Sequence, residues 1–495
     1  MTTATLVRQA RLVPVRTPPA GEGEPVDLRI VDGVVAEVAP ALAPATGELV
    51  VEAAGRWAVP GLWDQHVHMA QAAHTRIQVD LTGSAGPEEV LDRVLRHVEG
   101  LPAASEAAVL GFGFRSAAWA RPATVDMLDA VVADRPVVLI SGDAHNGWLN
   151  TRALTLLDAP ATAGPLQERE WFEVFARLGE LPGDPALLER AYRTAAADAA
   201  AAGVVGIVDM DFGRPYADWP GRTDAGIDQL RVRTAVYPDR LDEVVGAGLR
   251  TGTPLDPSGL VTMGPLKIIS DGSLNTRTAY CCQPYAPGER PHGQQNYGPE
   301  ELGHLLRRAV EHGLRVAVHA IGDAATTTAL DAFAQSGAAG TVEHAQLVRL
   351  EDLPRMAALG VGASVQPAHL LDDREITGQI WADRADRCFL LRSMHDAGVR
   401  LGFGSDAPVA PLDPWLAMDA AVHRARRGED PWNAAEVVPP ALALASSTDG
   451  QDTLAVGSRG DVVLLDDEPL AAVASRRAPY VAATLVGGRP THLTL

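Results

Sequence analysis

The sequence predicts an α/β chain: a (β/α)8 TIM-like barrel, a small β-sandwich formed by both termini, and a large insertion after barrel strand 1. Three observations carry that prediction. Eight apolar, β-like runs alternate with Ala/Leu/Arg-rich helical stretches, the pattern of β/α units on a parallel sheet. Short strand-like segments crowd both ends of the chain. The first of the eight runs ends in Asp64-Gln65-His66-Val67-His68, whose alternate residues share one strand face. That is the strand end at which barrel enzymes build their sites.

Composition sets the outer bounds. With 495 residues, 46% hydrophobic and 21% charged, the chain can bury a large core, and wholesale disorder is not expected. Lys+Arg is 42 against Asp+Glu 63, a net charge of −21 that disfavours nucleic acid or an anionic membrane as partner. Three cysteines (Cys281, Cys282 and Cys388) make no disulfide framework, which suits a reducing cytoplasm. No signal-peptide core and no run of transmembrane length is visible, so a cytoplasmic location is expected.

Residues 1–58 read as short strands, with Asp32-Gly33 as a hairpin turn between two of them. Residues 453–495 read the same way, around Asp461-Val462-Val463-Leu464-Leu465 and a strand over 481–486. Together they form the expected discontinuous sandwich. The barrel takes 59–452. Its strands are expected to end at His66 and to cover 204–210, 232–237, 266–270, 315–319, 341–344, 361–366 and 401–406. Between the first and second lies a segment, about 71–202, far longer than a βα unit needs. Its strand-like runs at 109–114 and 137–141 and a helix over 187–202 mark an α/β insertion, expected over the catalytic face of the barrel.

The chemistry gathers at the strand ends. Two imidazoles on one face can grip a metal ion. Lys267 lies in the fourth predicted strand, His319 ends the fifth, His344 the sixth, and Asp406 the eighth. Singly, each has an ordinary reading as core histidine, turn aspartate or solvated lysine. Jointly, imidazoles and a carboxylate at matching strand ends suit zinc, or iron, cobalt or manganese.

These motifs carry a resemblance. The chain resembles the amidohydrolase superfamily, and within it amidohydrolase family 3, the YtcJ-like and N-substituted formamide deformylase-like proteins. The matching text runs almost end to end: Val59-Pro60-Gly61-Leu62 before Asp64-x-His66-x-His68, Gly111-Phe112-Gly113-Phe114 with Trp119, and Gly142-Asp143-Ala144-His145 with Asn150. It continues through Lys267-x-x-x-Asp271-Gly272-Ser273 with Arg277, His319-Ala320-Ile321-Gly322-Asp323, Glu343-His344-Ala345-Gln346, Ser364-Val365-Gln366-Pro367 and Gly404-Ser405-Asp406.

The resemblance implies a metal set of His66, His68, Lys267, His319, His344 and Asp406, holding one or two divalent ions, zinc first. It implies a carboxylated Lys267 bridging two ions. A buried lysine loses its proton more readily, and a neutral amine can take up CO2. Asp406 and His344 become the catalytic pair, and Asp64 stands behind a ligand imidazole. His145, Asp271 and Arg277 become substrate-binding candidates, although Asp271 and Arg277 could equally tie their loop down as an ion pair. Gly164-Pro165-Leu166-Gln167-Glu168 resembles a family segment that is usually Gly-x-Leu-x-Glu, but the sequence around it looks shortened, so Glu168 is not counted as a ligand. Trp119, Trp148 and Trp171 are expected to pack rather than line a pocket.

The expected activity is a metal-dependent amidohydrolase acting on a C–N bond other than a peptide bond, in an amide, N-acyl or N-formyl small molecule, through a metal-activated water. A deaminase or a cyclic amide or ester hydrolase would use the same ligands. A non-catalytic scaffold of this fold would tend to have lost ligands, and here every expected position is filled. A homodimer is what the superfamily suggests.

Overall fold

A computed structural model describes residues 4–15, 23–102, 105–116, 119–142, 146–175, 177–285 and 291–495. The chain divides into two compact units, Met1–Ala72 with Thr194–Leu495, and Ala73–Arg193.

In the larger unit eight parallel strands run in sequence order around a barrel: Leu62–Val67, Val204–Asp209, Arg231–Val236, Val261–Ile269, Val316–Ala320, Gly340–His344, Gly362–Val365 and Leu401–Phe403. The seam between eighth and first is bridged by the Asp406 N–H on His66 O (2.7 Å) and the His68 N–H on Ala407 O (2.9 Å). Leu266, Ile268, Val316, Val318 and Val342 face outward into the main apolar core, leaving their neighbours Lys267, His319 and Glu343 for the barrel interior. The fourth strand starts at Val261, five residues earlier than expected. Gly264-Pro265 reads as a break in sequence, but here the proline sits at a register shift against the third strand, where its missing N–H leaves no gap in the ladder. The eighth strand is shorter than expected and stops at Phe403, so Gly404-Ser405-Asp406 forms the turn beyond it.

The terminal strands form two layers around Val7, Leu28, Ile30 and Val35 on one side and Ala58, Val462, Leu464 and Leu485 on the other. The N-terminal strand Ala4–Leu12 serves both layers. Its bulge at Gln9, in the left-handed region (φ 54°) with its N–H on Asp27 Oδ1, bends it from one to the other. The layer reaches Pro60, two residues beyond the expected boundary, because Trp57–Pro60 pairs with Val462–Leu465. Asp32-Gly33 makes the expected hairpin turn, both residues at positive φ.

The smaller unit is a five-stranded sheet with helices Pro87–Gly100, Val125–Val131 and Thr151–Leu156. Asn150 organises it: its Oδ1 caps Ala153 N and accepts from Val137 N, while its Nδ2 donates to Val132 O and Arg135 O. Trp148 and Trp171 are fully buried, and the Trp119 indole donates to Ser84 O. The three cysteines are free, and among the described residues no helix is long and apolar enough to cross a membrane.

Candidate metal centre

The first strand delivers His66 and His68 to the C-terminal mouth of the barrel. Gly404 lets the eighth strand come this close: a Cβ there would lie 2.7 Å from His66 N and 3.0 Å from Asp64 Oδ1. Asp64 fastens the junction by accepting the N–H groups of His66 and Ser405, each at 3.0 Å. Burial pushes its carboxyl up to about 7, against these donors. This corrects the expectation that Asp64 orients a ligand imidazole. Its carboxylate instead spans two backbone segments, those of His66 and Ser405.

The residue behind the imidazole is Glu343. Its Oε2 lies 2.6 Å from His66 Nδ1, which fixes the tautomer with the proton on Nδ1 and the Nε2 lone pair facing inward. Burial, then Lys267, lowers the His66 pKa and keeps the ring neutral, the form that binds metals.

Asp406 Oδ1 stands 3.6 Å from His66 Nε2 and 3.4 Å from His68 Nε2. Two ligands on one tetrahedral ion, with bonds of about 2.1 Å, lie about 3.4 Å apart, so the spacing fits a shared cation. His66, His344 and Asp406 offer ligand atoms all within 4.8 Å of one another. Burial works to raise the Asp406 pKa, but the surrounding imidazoles, His66 first, outweigh it and leave the group well below the usual carboxylate range. Both Asp406 (φ 57°) and His344 (φ 68°) adopt left-handed backbone. At His344 the Ala345 N–H closes on Glu343 O (2.9 Å), a γ-turn that rotates His344 into the site beside Glu343 although the two are sequence neighbours. Strained conformations of this kind cluster at functional sites.

Lys267 is 2% exposed, with Nζ 3.2 Å from His66 Nε2. Burial lowers its pKa, while Glu343 and Asp406 oppose the shift. His319 has its ring centroid 4.5 Å from that of His344. Its Nε2 faces Gly272 O (3.2 Å), so Nδ1 is the nitrogen left for an ion. Burial, then Lys267, pushes its pKa down to about 3. The first strand, the fourth to sixth strands and the turn after the eighth thus bring together all six residues of the expected set.

Asp271 does not join them as a substrate ligand. It is fully buried and accepts the N–H groups of Ile321 (3.0 Å), Gly322 (2.8 Å) and Tyr280 (2.9 Å). A Cβ on Gly322 would lie 2.0 Å from Tyr280 O, so only glycine allows this packing. Fully buried, holding three backbone donors and with Oδ1 3.4 Å from His319 Nε2, this carboxylate faces no substrate. It binds the loop after the fourth strand to the turn after the fifth. Nor does it pair with Arg277, which is exposed and has no ion pair among the described residues. His145 and the side chain of Glu168 lie outside the described residues.

Several site residues had no role in the sequence reading. Glu343 is one. Asp209 and Asp211, ending the second strand, accept from Met69 N (3.2 Å) and Ala70 N and hold the helix start that follows His68. Burial pushes Asp211 up to about 7. Phe212 stacks on His68 and on Tyr237 (ring centroids 5.9 and 4.6 Å) while 58% exposed, giving the mouth an apolar wall. His369, on the turn after the seventh strand, stacks 6.5 Å from His344 with its Nε2 3.2 Å from Ser405 O. The Asp-x-Asp pair at a strand end was the one visible signal, since it repeats the alternation of the first strand.

The sequence matches the amidohydrolase family over residues 49–492. It is 27% identical to N-substituted formamide deformylase of Arthrobacter pascens over 92% of each chain. It is 27% identical to the protein LONG AFTER FAR-RED 3 of Arabidopsis thaliana over 90% of this chain and 84% of that one. Among solved structures, an uncharacterized metal-dependent hydrolase from Pyrococcus furiosus is 26% identical and superposes with a TM-score of 0.79, over 94% of this chain and 100% of that one.

Proposed function

Because the chain belongs to the amidohydrolase family, we propose that it is a metal-dependent hydrolase that cleaves the C–N bond of a small amide, N-acyl or N-formyl compound. The observation that carries the reading is the Asp406 carboxylate set 3.4–3.6 Å from the Nε2 atoms of His66 and His68, with the protonation of His66 fixed from behind by Glu343. His66, His68, His319, His344 and Asp406 would hold the ion, with Lys267 as a second bridge where it is carboxylated. A divalent ion, zinc by the chemistry of this donor set, supplies Lewis acidity and a water that ionises near neutral pH.

The chain's own groups do the rest. Asp406, kept ionised, takes the proton of the attacking water and delivers it to the departing nitrogen. His344, rotated inward by its γ-turn, borders the developing oxyanion. Phe212 offers an apolar face to the substrate's acyl or amine substituent. A neutral lysine beside His66 would add CO2 through its amine nitrogen, losing one proton and becoming an anion that cations compensate.

The test joins metal analysis to a hydrolysis screen of N-formyl, N-acyl and cyclic amides, with His66→Ala as control. Turnover on N-formyl or N-acyl compounds that vanishes together with bound metal in the variant supports the reading. A metal-free wild type whose activity no added divalent ion restores would refute it.

A further inference from the structure

At the opposite end of the barrel from the metal centre, the strand starts enclose a cavity of about 820 Å³. It is lined by Arg233, Arg315 and Arg400, by apolar groups such as Met210 and Val399, and by Glu343 as the wall shared with the metal centre. We propose that this cavity is a second binding site, for a small organic anion that carries a phosphate or carboxylate on a compact apolar body.

Three observations lead there. First, the arginines are unevenly satisfied. Arg233 is fixed by a two-pronged pair with Asp449 (2.8 and 2.7 Å) and lies 4.1 Å over the Trp63 ring. Arg315 and Arg400 have no carboxylate partner among the described residues, and Arg400 has only a 3.4 Å bond to Gly360 O. Second, the three guanidiniums sense one another: burial, then Arg400 and Arg233, lowers the Arg315 pKa. Arg315 and Arg400 are exposed where they line the cavity, and three guanidiniums around one concavity draw an anion to it against the chain's net charge of −21. Third, barrel interiors are ordinarily packed with side chains. Here Val208, Met210, Ala235 and Ala317 form a small apolar cluster of their own, and the space lined by the strand starts stays open. A volume within the range of about 300–1,000 Å³ typical of small-molecule sites has room for more than an inorganic ion. Guanidinium forks match carboxylate and phosphate oxygens, and the apolar lining selects the body.

The experiment titrates the metal-loaded full chain with inorganic phosphate, phenyl phosphate and benzoate by calorimetry. It is repeated on Arg315→Gln, Arg400→Gln and the double variant, with circular dichroism confirming the fold of each. Saturable binding of phenyl phosphate or benzoate is expected, tighter than that of inorganic phosphate. Each single variant should weaken it, and the double variant by at least about tenfold. Preference between phenyl phosphate and benzoate tells a phosphate ligand from a carboxylate one. Binding unchanged in the double variant would place the anion on the metal ligands and overturn the proposal. So would the absence of saturable binding by all three probes. Inorganic phosphate binding as tightly as phenyl phosphate would overturn the apolar part.

Discussion

Replacing Glu343 should loosen the metal without removing a metal ligand. Its Oε2 receives the His66 Nδ1 proton at 2.6 Å and its Oε1 receives the Thr341 hydroxyl, both in a fully desolvated pocket. Glu343→Gln keeps an acceptor for His66 but removes the charge that raises the basicity of Nε2. Glu343→Ala removes both and leaves a buried N–H unpaired. Losing the partner behind a metal-binding histidine typically costs about 10–100-fold in metal affinity. The glutamine should therefore sit near about tenfold and the alanine near about a hundredfold, about 1.4 and 2.8 kcal/mol. The assay is zinc competition against a chromogenic chelator at fixed pH on stripped and reloaded protein, with circular dichroism as the fold control. An alanine variant that folds and binds zinc as tightly as the wild type would refute the view that Glu343 sets the tautomer and basicity of His66.

Two further substitutions separate other parts of the site. Lys267→Ala should lower the metal content from about two ions per chain to one or none, with partial rescue by a short carboxylic acid. A wild type with one ion and a bare lysine amine, by metal analysis and electron density, would rule out the bridged centre. Asp271→Asn places an amide N–H₂ against at least one of three backbone N–H donors and should cost about 1–3 kcal/mol. Thermal unfolding of the metal-stripped protein checks this, and unchanged stability would show that the carboxylate does not hold the two loops together.

Much of the architecture was legible because it is written in periodicity. The alternation Leu266/Lys267/Ile268 states which residues face outward to helices and which face inward. The family's motifs supplied the order in which the inward residues meet. The breaks in that reading came where backbone chemistry overrode composition. Gly264-Pro265 looks like a strand end but sits at a register shift, and Gly404-Ser405-Asp406 looks like strand but is a turn held by Asp64.

The site was legible in its metal-facing residues and obscure in everything behind them, for a physical reason. A metal shell draws on a few residue types at strand ends, so strand spacing and the family's motifs together can propose it. The supporting groups are defined by pairing between strands distant in sequence: Glu343 with His66 across 277 residues, Asp209 with Met69 across 140, Asp64 with Ser405 across 341. Asp271 shows the converse. A carboxylate following a strand, next to a glycine turn, has the sequence context of a substrate ligand. Only its complete burial and the three N–H groups that converge on it, two of them 50 and 51 residues away, reveal that it is turned to the backbone. His344 lies between these cases. Its strand position is shared with Glu343, and alternation would send only one of the two inward. The left-handed turn at φ 68° admits both, so one short segment provides the ligand and the group that tunes its neighbour.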